Sequence, residues 1–419
     1  MPRIAESSRS RMVHARANLR PMRAIDAAER LTDDFCARTG VDGGGDPGRR
    51  YLWTDALAVE ACVTLHARTG MHRHLERAIH LAELVHRGLG RHRPDDRRTG
   101  WISGLDEASG ERRPTAGGLR IGKHLPERAA GAPRDDGLEW DRDGQYFHYH
   151  TRWMHALCDL AEATGDVRWS HHAIDLAHAS CAASVVQPGS LAGARPRMHW
   201  KMSIDLSRPL VAAMGHLDPL DGFVALARVQ ASVPESDPER ARLNGHLAAL
   251  RSVCDEVPTF ATSDPLTLGG LLEACGHFTD LVAEGEHPFD DVLGRALADA
   301  RCGVDAFAGG GWMLRPLDAR LPFRELGLAI GLKRVTPMLR AAKTAPSRFR
   351  DGWTASELLA SLEPMAAHAS LARRIEEAWA EREAQSHASW REHLDINAAT
   401  LATCLADRAQ ARRPVRPVA

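Results

Sequence analysis

Residues 137–157 read GLEWDRDGQYFHYHTRWMHAL, and they bring together side chains that are costly to place without a purpose. Glu139, Asp141 and Asp143 come first, then Tyr146, His148, Tyr149 and His150, then Arg152 and Trp153. Two carboxyls in different protonation states can cleave a glycosidic bond. One gives a proton to the leaving oxygen, and the other activates water or attacks the anomeric carbon. Further acids stand in comparable contexts: Asp55 two residues after Trp53, Asp205 in HWKMSIDLSRP, Glu325, and Asp395 in HLDIN. Asp55, Glu139, Asp141 and Asp205 are the candidate catalytic acids. Capping and dipole compensation also favour Asp and Glu at helix starts, and for Asp143 and Asp395 capping is the better account.

Aromatic residues mark the same level of the chain. Its three tyrosines, Tyr51, Tyr146 and Tyr149, all fall where a helix is predicted to begin, and Trp53, Trp140, Trp200 and Trp390 fall at or just before such starts. Rings with polar tips suit a wet pocket that stacks on a ring-shaped ligand. The binding candidates are therefore Tyr51, Trp53, Tyr146, Tyr149 and Trp200, with His150, Arg152 and His199 orienting polar groups. Wedging of helix ends is the plainer role for any one of these aromatics.

His148 and His150 could share a metal only in an extended segment, because on a helix positions i and i+2 diverge by about 200°. There is no H-E-x-x-H pattern and no C-x-x-C pair, so neither a metal nor another cofactor is expected. Histidines facing each other across a cavity could instead move a proton at carbon, with His150, His199 and His393 as the candidates. His72, His74 and His80 read as a solvated helix face.

The elements that would position these groups form a repeat. YLWTDALAVEACVTLHARTGMHRHLERAIHLA (51–82) and YFHYHTRWMHALCDLAEATGDVRWSHHAIDLA (146–177) align with a shift of 95 residues. Tyr51 then meets Tyr146, Leu65 meets Leu160, and Thr69-Gly70 meets Thr164-Gly165. Each copy reads helix, Thr-Gly stop, helix. Weaker copies follow at 221–253 and 265–300, and 323–342 with 363–383 makes a fifth pair. The unpaired segments 21–40 and 394–409 complete a sixth if the chain closes on itself. An open helical solenoid is the alternative.

Six hairpins of this period resemble the six-hairpin glycosidase superfamily. The resemblance implies an all-α fold, an (α/α)6 toroid with long loops over one end, and a cavity at the N-terminal ends of the inner helices. It implies a small-molecule carbohydrate or glycoside as ligand and glycoside hydrolysis as the first functional expectation. The chain is also similar in size and plan to the N-acylglucosamine 2-epimerase group, although that group's His-containing motifs find no match here. An epimerase or isomerase is thus the second expectation, and a non-catalytic helical binding protein the third.

The expected organisation is an N-terminal arm (1–20), one toroid domain (21–410) with a flap at 88–140, and a tail (411–419). The chain has 419 residues, 44% hydrophobic and 26% charged, with a formal net charge of −1. That balance argues against a nucleic-acid or membrane-surface partner. No apolar run approaches ~20 residues, and no signal-peptide pattern opens the chain, so a cytoplasmic location is expected. The eight cysteines are scattered among apolar positions and read as small buried thiols. Oligomeric state is not encoded in any pattern seen here.

Overall fold

The computed structural model describes residues 24–45, 49–186, 195–288, 290–349 and 355–407. The expected arm (1–20) and tail (411–419) lie outside these residues. In chain order the helices are α1 (24–38), α2 (Leu52–Thr69), α3 (His72–Leu89), α4 (Glu107–Arg112), α5 (Asp136–Asp141), α6 (Phe147–Thr164) and α7 (Arg168–Ser184). Then come α8 (Asp218–Ala231), α9 (Pro238–Arg242), α10 (Asn244–Glu256), α11 (Pro265–Glu284), α12 (Asp291–Gly309), α13 (Pro322–Lys333) and α14 (Val335–Thr344). The last five are α15 (Ala355–Ala367), α16 (Ala369–Ala380), α17 (Arg382–Ser386), α18 (Ala388–Arg391) and α19 (Leu394–Ala406).

The repeat is visible in how its helices stop. α2 ends at Gly70 (φ 72°) and α6 at Gly165 (φ 69°), with the glycine N–H returning to the carbonyl of His66 or Ala161. A side chain in this left-handed region would cost energy. Thr69 and Thr164 donate their hydroxyls back to Leu65 and Leu160, each at 2.7 Å.

Helix neighbours define the architecture. α2 packs on α6, α6 on α8, α8 on α11, α11 on α13, α13 on α19, and α19 returns to α2. This is a closed ring of six inner helices, with α3, α7, α10, α12 and α16 outside α2, α6, α8, α11 and α13. α1 covers the seam, where Ala28 packs with Leu65 and Ala406. Closure is also hydrogen bonded: Thr403 Oγ1 donates to the Leu57 carbonyl at 3.0 Å, and Arg68 donates to that of Ala406 at 3.0 Å. The fold is the all-α (α/α)6 toroid that the hairpins imply.

Burial follows the layers. From Leu52 to Leu65, α2 is buried on every side except at Trp53 and Val63. α3 buries one stripe, His74, Ala78, Leu81, Ala82, Val85 and Leu89, as an outer amphipathic helix should. Where α11 meets α13 the backbones touch. A Cβ on Gly269 would lie 2.2 Å from the Gly327 carbonyl oxygen, and one on Gly331 would lie 2.4 Å from that of Gly269.

Three expectations are corrected. Segment 323–342 is two helices that break at Arg334, because Pro337 cannot continue the preceding helix and its ring would strike the carbonyl four residues back. The fifth outer layer is accordingly three helices, α14 to α16. His74 is not solvated but fully buried, with Nε2 2.8 Å from Glu29. Short strands also occur where little strand signal was read: β1 (Gln145–Tyr146), β2 (Val185–Val186), β3 (Arg197–Met198), β4 (Lys201–Met202) and β5 (Pro209–Val211). β1–β4–β5 form an antiparallel sheet that sets Tyr146 opposite Lys201, and β2 pairs with β3.

Segment 88–140 is tied to the ring rather than free-standing. Ile121 accepts from Leu52 N–H at 3.0 Å and donates to the Gly144 carbonyl at 2.8 Å. Trp101 is buried, with Arg91 4.1 Å above its ring. Among the described residues, no helix is long and apolar enough to cross a membrane.

Candidate functional site at the mouth of the inner ring

α2 and α6 lie side by side and each begins just after a tyrosine, so their entrances combine. Tyr51 and Tyr149 share a hydroxyl–hydroxyl hydrogen bond of 2.5 Å. Around it the rings form a continuous set. Trp53 lies 5.2 Å from Tyr149, and His148 lies 4.8 Å from Tyr149 at 89°. His148 is also near-parallel to Trp200, at 8° and 5.9 Å, and Tyr146 lies 5.0 Å from Trp200. Cations sit over the ring faces: Lys123 5.6 Å from Tyr51, Lys201 5.4 Å from Tyr146 and Arg152 5.9 Å from Trp53.

Burial controls ionisation here. It lowers His148 to about 3, helped by neighbouring His150, so the imidazole is uncharged at neutral pH. Among the described residues, His148 Nδ1 is buried without a hydrogen-bond partner. Burial also raises the phenols of Tyr51, Tyr146 and Tyr149. It lowers the Lys123 ammonium against the pull of Asp141 and Asp143.

Beneath the rings, Arg152 joins three helices. It donates to Glu60 on α2 and Glu273 on α11, both at 2.7 Å. On α8, burial drives the carboxyl of Asp221 well above its ordinary range, with Asp218 and Glu273 adding to the shift and Arg152 opposing it. Burial likewise raises Asp218 to about 7, against a hydrogen bond from Gly215 N–H.

The four carboxyls proposed as catalytic acids are all buried, paired or turned outward. Asp55 is raised to about 6 by burial, lies 3.6 Å from Arg50, and accepts from Tyr51 N–H at 3.0 Å. Glu139 is buried and bound by Arg128 at 2.6 Å, with Lys201 Nζ at 3.4 Å. Asp141 is exposed on α5. Asp205 is exposed in a loop and 2.8 Å from Arg98; some burial pushes it up, but Ser207, Ser203 and Arg98 bring it down to about 2. Asp143 is not a helix cap. It receives Arg120 at 2.6 Å and the N–H groups of Gly122 and Gly144, fastening segment 88–140 to the ring.

Of the binding candidates, Tyr51, Trp53, Tyr146, Tyr149, Trp200 and Arg152 are brought together. His150 is not among them: it is buried, its Nε2 lies 2.9 Å from the Leu119 carbonyl, and burial lowers it to about 4. His199 is half-buried in the β3–β4 turn, with its N–H bonded to Ser184. His393 is exposed ahead of α19, edge-on to Phe323. Trp390 is buried near Trp379, a wedge and not a pocket wall.

Sequence reasoning missed Glu60, Glu273 and Asp221. A signal existed: ALAVEACV (56–63) and GGLLEACG (269–276) each carry a lone glutamate in an otherwise uncharged stretch that becomes an inner helix. A charge that far inside must be paired.

The open space also differs from expectation. A cavity of about 30 Å³, room for little more than water, lies toward the C-terminal ends of the inner helices and is lined by Glu60, Thr64, Glu273, His277, Lys333 and Arg334. Among the described residues, no group of three or more His, Cys, Asp or Glu side chains could hold a metal ion.

No family model matches this chain, and no curated protein matches it. Among solved structures, cellobiose 2-epimerase from Spirochaeta thermophila DSM 6192 is similar over 84% of this chain and 98% of that one. The identity is 12% and the TM-score 0.43. The ring described above stands on its own helix neighbours and not on that likeness.

Proposed function

We propose that this chain is a sugar-processing enzyme that moves a proton at a sugar carbon, an epimerase or isomerase, at the aromatic mouth. One observation carries the reading. Asp55, Glu139 and Asp205 each face a cation, while His148 stays an uncharged imidazole with Nδ1 uncommitted, its ring 4.8 Å from that of Tyr149, whose hydroxyl pairs with that of Tyr51. A pyranose stacks on Trp53 or Trp200 and opens to its aldehyde form. His148 takes the proton from C2, the C–H electron pair forms C1=C2, and O1 gains the negative charge. The Tyr51–Tyr149 pair donates to that oxygen, and Arg152 below supplies positive charge. The open-chain enolate turns about its C2–C3 bond, His148 returns the proton to the opposite face of C2, and the C1=O bond re-forms as O1 gives up its charge. The developing oxyanion raises the proton affinity of the imidazole as it acts.

A second reading, glycoside hydrolysis, is favoured by Asp221. Its carboxyl is pushed toward the protonated form while Glu273 is ion-paired with Arg152, a separation of the kind that assigns acid and base. Incubation with glucose and with cellobiose in deuterium oxide separates the two. Deuterium at C2, lost in His148→Asn, supports proton transfer at carbon. Release of glucose from cellobiose without deuterium at C2, lost in Asp221→Asn, replaces it with hydrolysis. Neither outcome, in a protein that binds these sugars, leaves a binding function only.

A further inference from the structure

The aromatic set does not stop at the mouth. Trp140 on α5 is 57% exposed, and its ring lies 5.1 Å from that of Trp200 at 73°. Trp200 then continues to His148 and Tyr146, and these to Tyr149 and Trp53. A line of rings thus runs from solvent to the entrances of α2 and α6.

Trp140 is also firmly mounted. α5 has only six residues, yet its Asp135 cap accepts from Leu138 N–H at 3.1 Å. Directly before Trp140, Glu139 is buried and held by Arg128. Lys201, fully buried and one of four lysines in the chain, spends its ammonium on this short helix. It donates to the carbonyls of Glu139 at 2.6 Å and Arg142 at 2.8 Å. A buried lysine fastening a six-residue helix keeps the indole in one place, which reduces the ordering cost of binding. The neighbouring groups are polar and reachable: Asp141 is exposed and Arg142 half-buried.

We infer that Trp140 is the platform of a second, outer saccharide subsite, so that the ligand is a disaccharide or longer, one ring in the mouth and the next on this indole. The inference rests on the reading of the mouth as a saccharide site. An indole face offers a sugar ring an apolar contact, and Asp141 and Arg142 offer its hydroxyls partners.

The test is calorimetric titration of the full chain with glucose, cellobiose and maltose, for the wild type, Trp140→Ala, Trp140→Phe and Trp53→Ala. The expected result is tighter wild-type binding of at least one disaccharide than of glucose. Trp140→Ala lowers that affinity about tenfold and leaves glucose unchanged, Trp140→Phe restores most of it, and Trp53→Ala weakens both. Because Trp140 is mostly exposed, circular dichroism should show all its variants folded. Trp140→Ala binding the disaccharide as the wild type does overturns the outer subsite alone. Wild-type protein that binds none of the three sugars overturns the reading of the mouth, and the subsite with it.

Discussion

The two ends of the inner ring are built from the same six helices, yet they hold different chemistry. Their N-terminal ends carry rings, two tyrosine hydroxyls and an uncharged imidazole. Below them lie ion pairs, Arg152 with Glu60 and Glu273 first, then toward the C-terminal ends Arg228 with Asp159, Arg334 with Asp280, and Lys333 with Glu376 on an outer helix. Helix electrostatics accounts for part of this. Arg228 and Lys333 lie in the last turns of α8 and α13 and Arg334 directly follows α13, where the helix dipole favours cations. Asp55, Asp218, Asp221, Glu325 and Asp395 lie in first turns, where it favours anions. A carboxylate at a helix entrance is therefore weak evidence of catalysis. A ring cluster there is better evidence, because the dipole does not ask for it.

If that contrast is right, the ionic half should respond most to loss of a charge. Arg152→Met leaves buried Glu60 and half-buried Glu273 without their shared cation, and chemical denaturation should show a loss of about 3 kcal/mol. A loss below about 1 kcal/mol would mean that the bridge is not structural.

The next effect is one of pH, at the edge of the aromatic half. His150 is lowered from 6.5 to about 4, so below pH 6.5 the unfolded chain takes up a proton that the folded chain refuses. Its contribution to stability is unchanged above 6.5 and declines as pH falls toward 4. Between pH 7 and pH 5 this amounts to about 2 kcal/mol. His150→Asn should flatten the slope of stability against pH by that amount; an unchanged slope would mean that the ring titrates normally in the fold.

The smallest effect is expected at the rim. Asp205 and its partner Arg98 are both about a third exposed. Asp205→Asn should change stability by less than about 1 kcal/mol and leave turnover of any substrate intact. A large loss of turnover would return Asp205 to the list of catalytic acids and shift the chemistry away from the rings.

The hairpins were legible because a Thr-Gly stop and an amphipathic outer face are local signals, repeated 95 residues apart in the two clearest copies. The tyrosines were legible for a similar reason, since residues at helix starts converge once the ring closes. What local pattern could not show was which side of a helix faces the axis. His148 and His150 are two positions apart and look alike in sequence; one lies flat against Trp200 and the other grips Leu119. Glu60 and Glu273 escaped notice because inner helices are buried all round, which removes the polar stripe that normally marks a face. The break at Arg334 was masked by apolar residues that keep their helical spacing on both sides of it.

The seam between α19 and α2 has a temporal consequence. Thr403 reaches the Leu57 carbonyl across 346 positions, so the bond that shuts the ring joins helices made far apart in time. The first inner helix must wait on the ribosome with its future neighbour still unmade, its flank beside Leu57 and Leu65 uncovered. Contacts that far apart slow folding, and the ring can close only after its last inner helix is made.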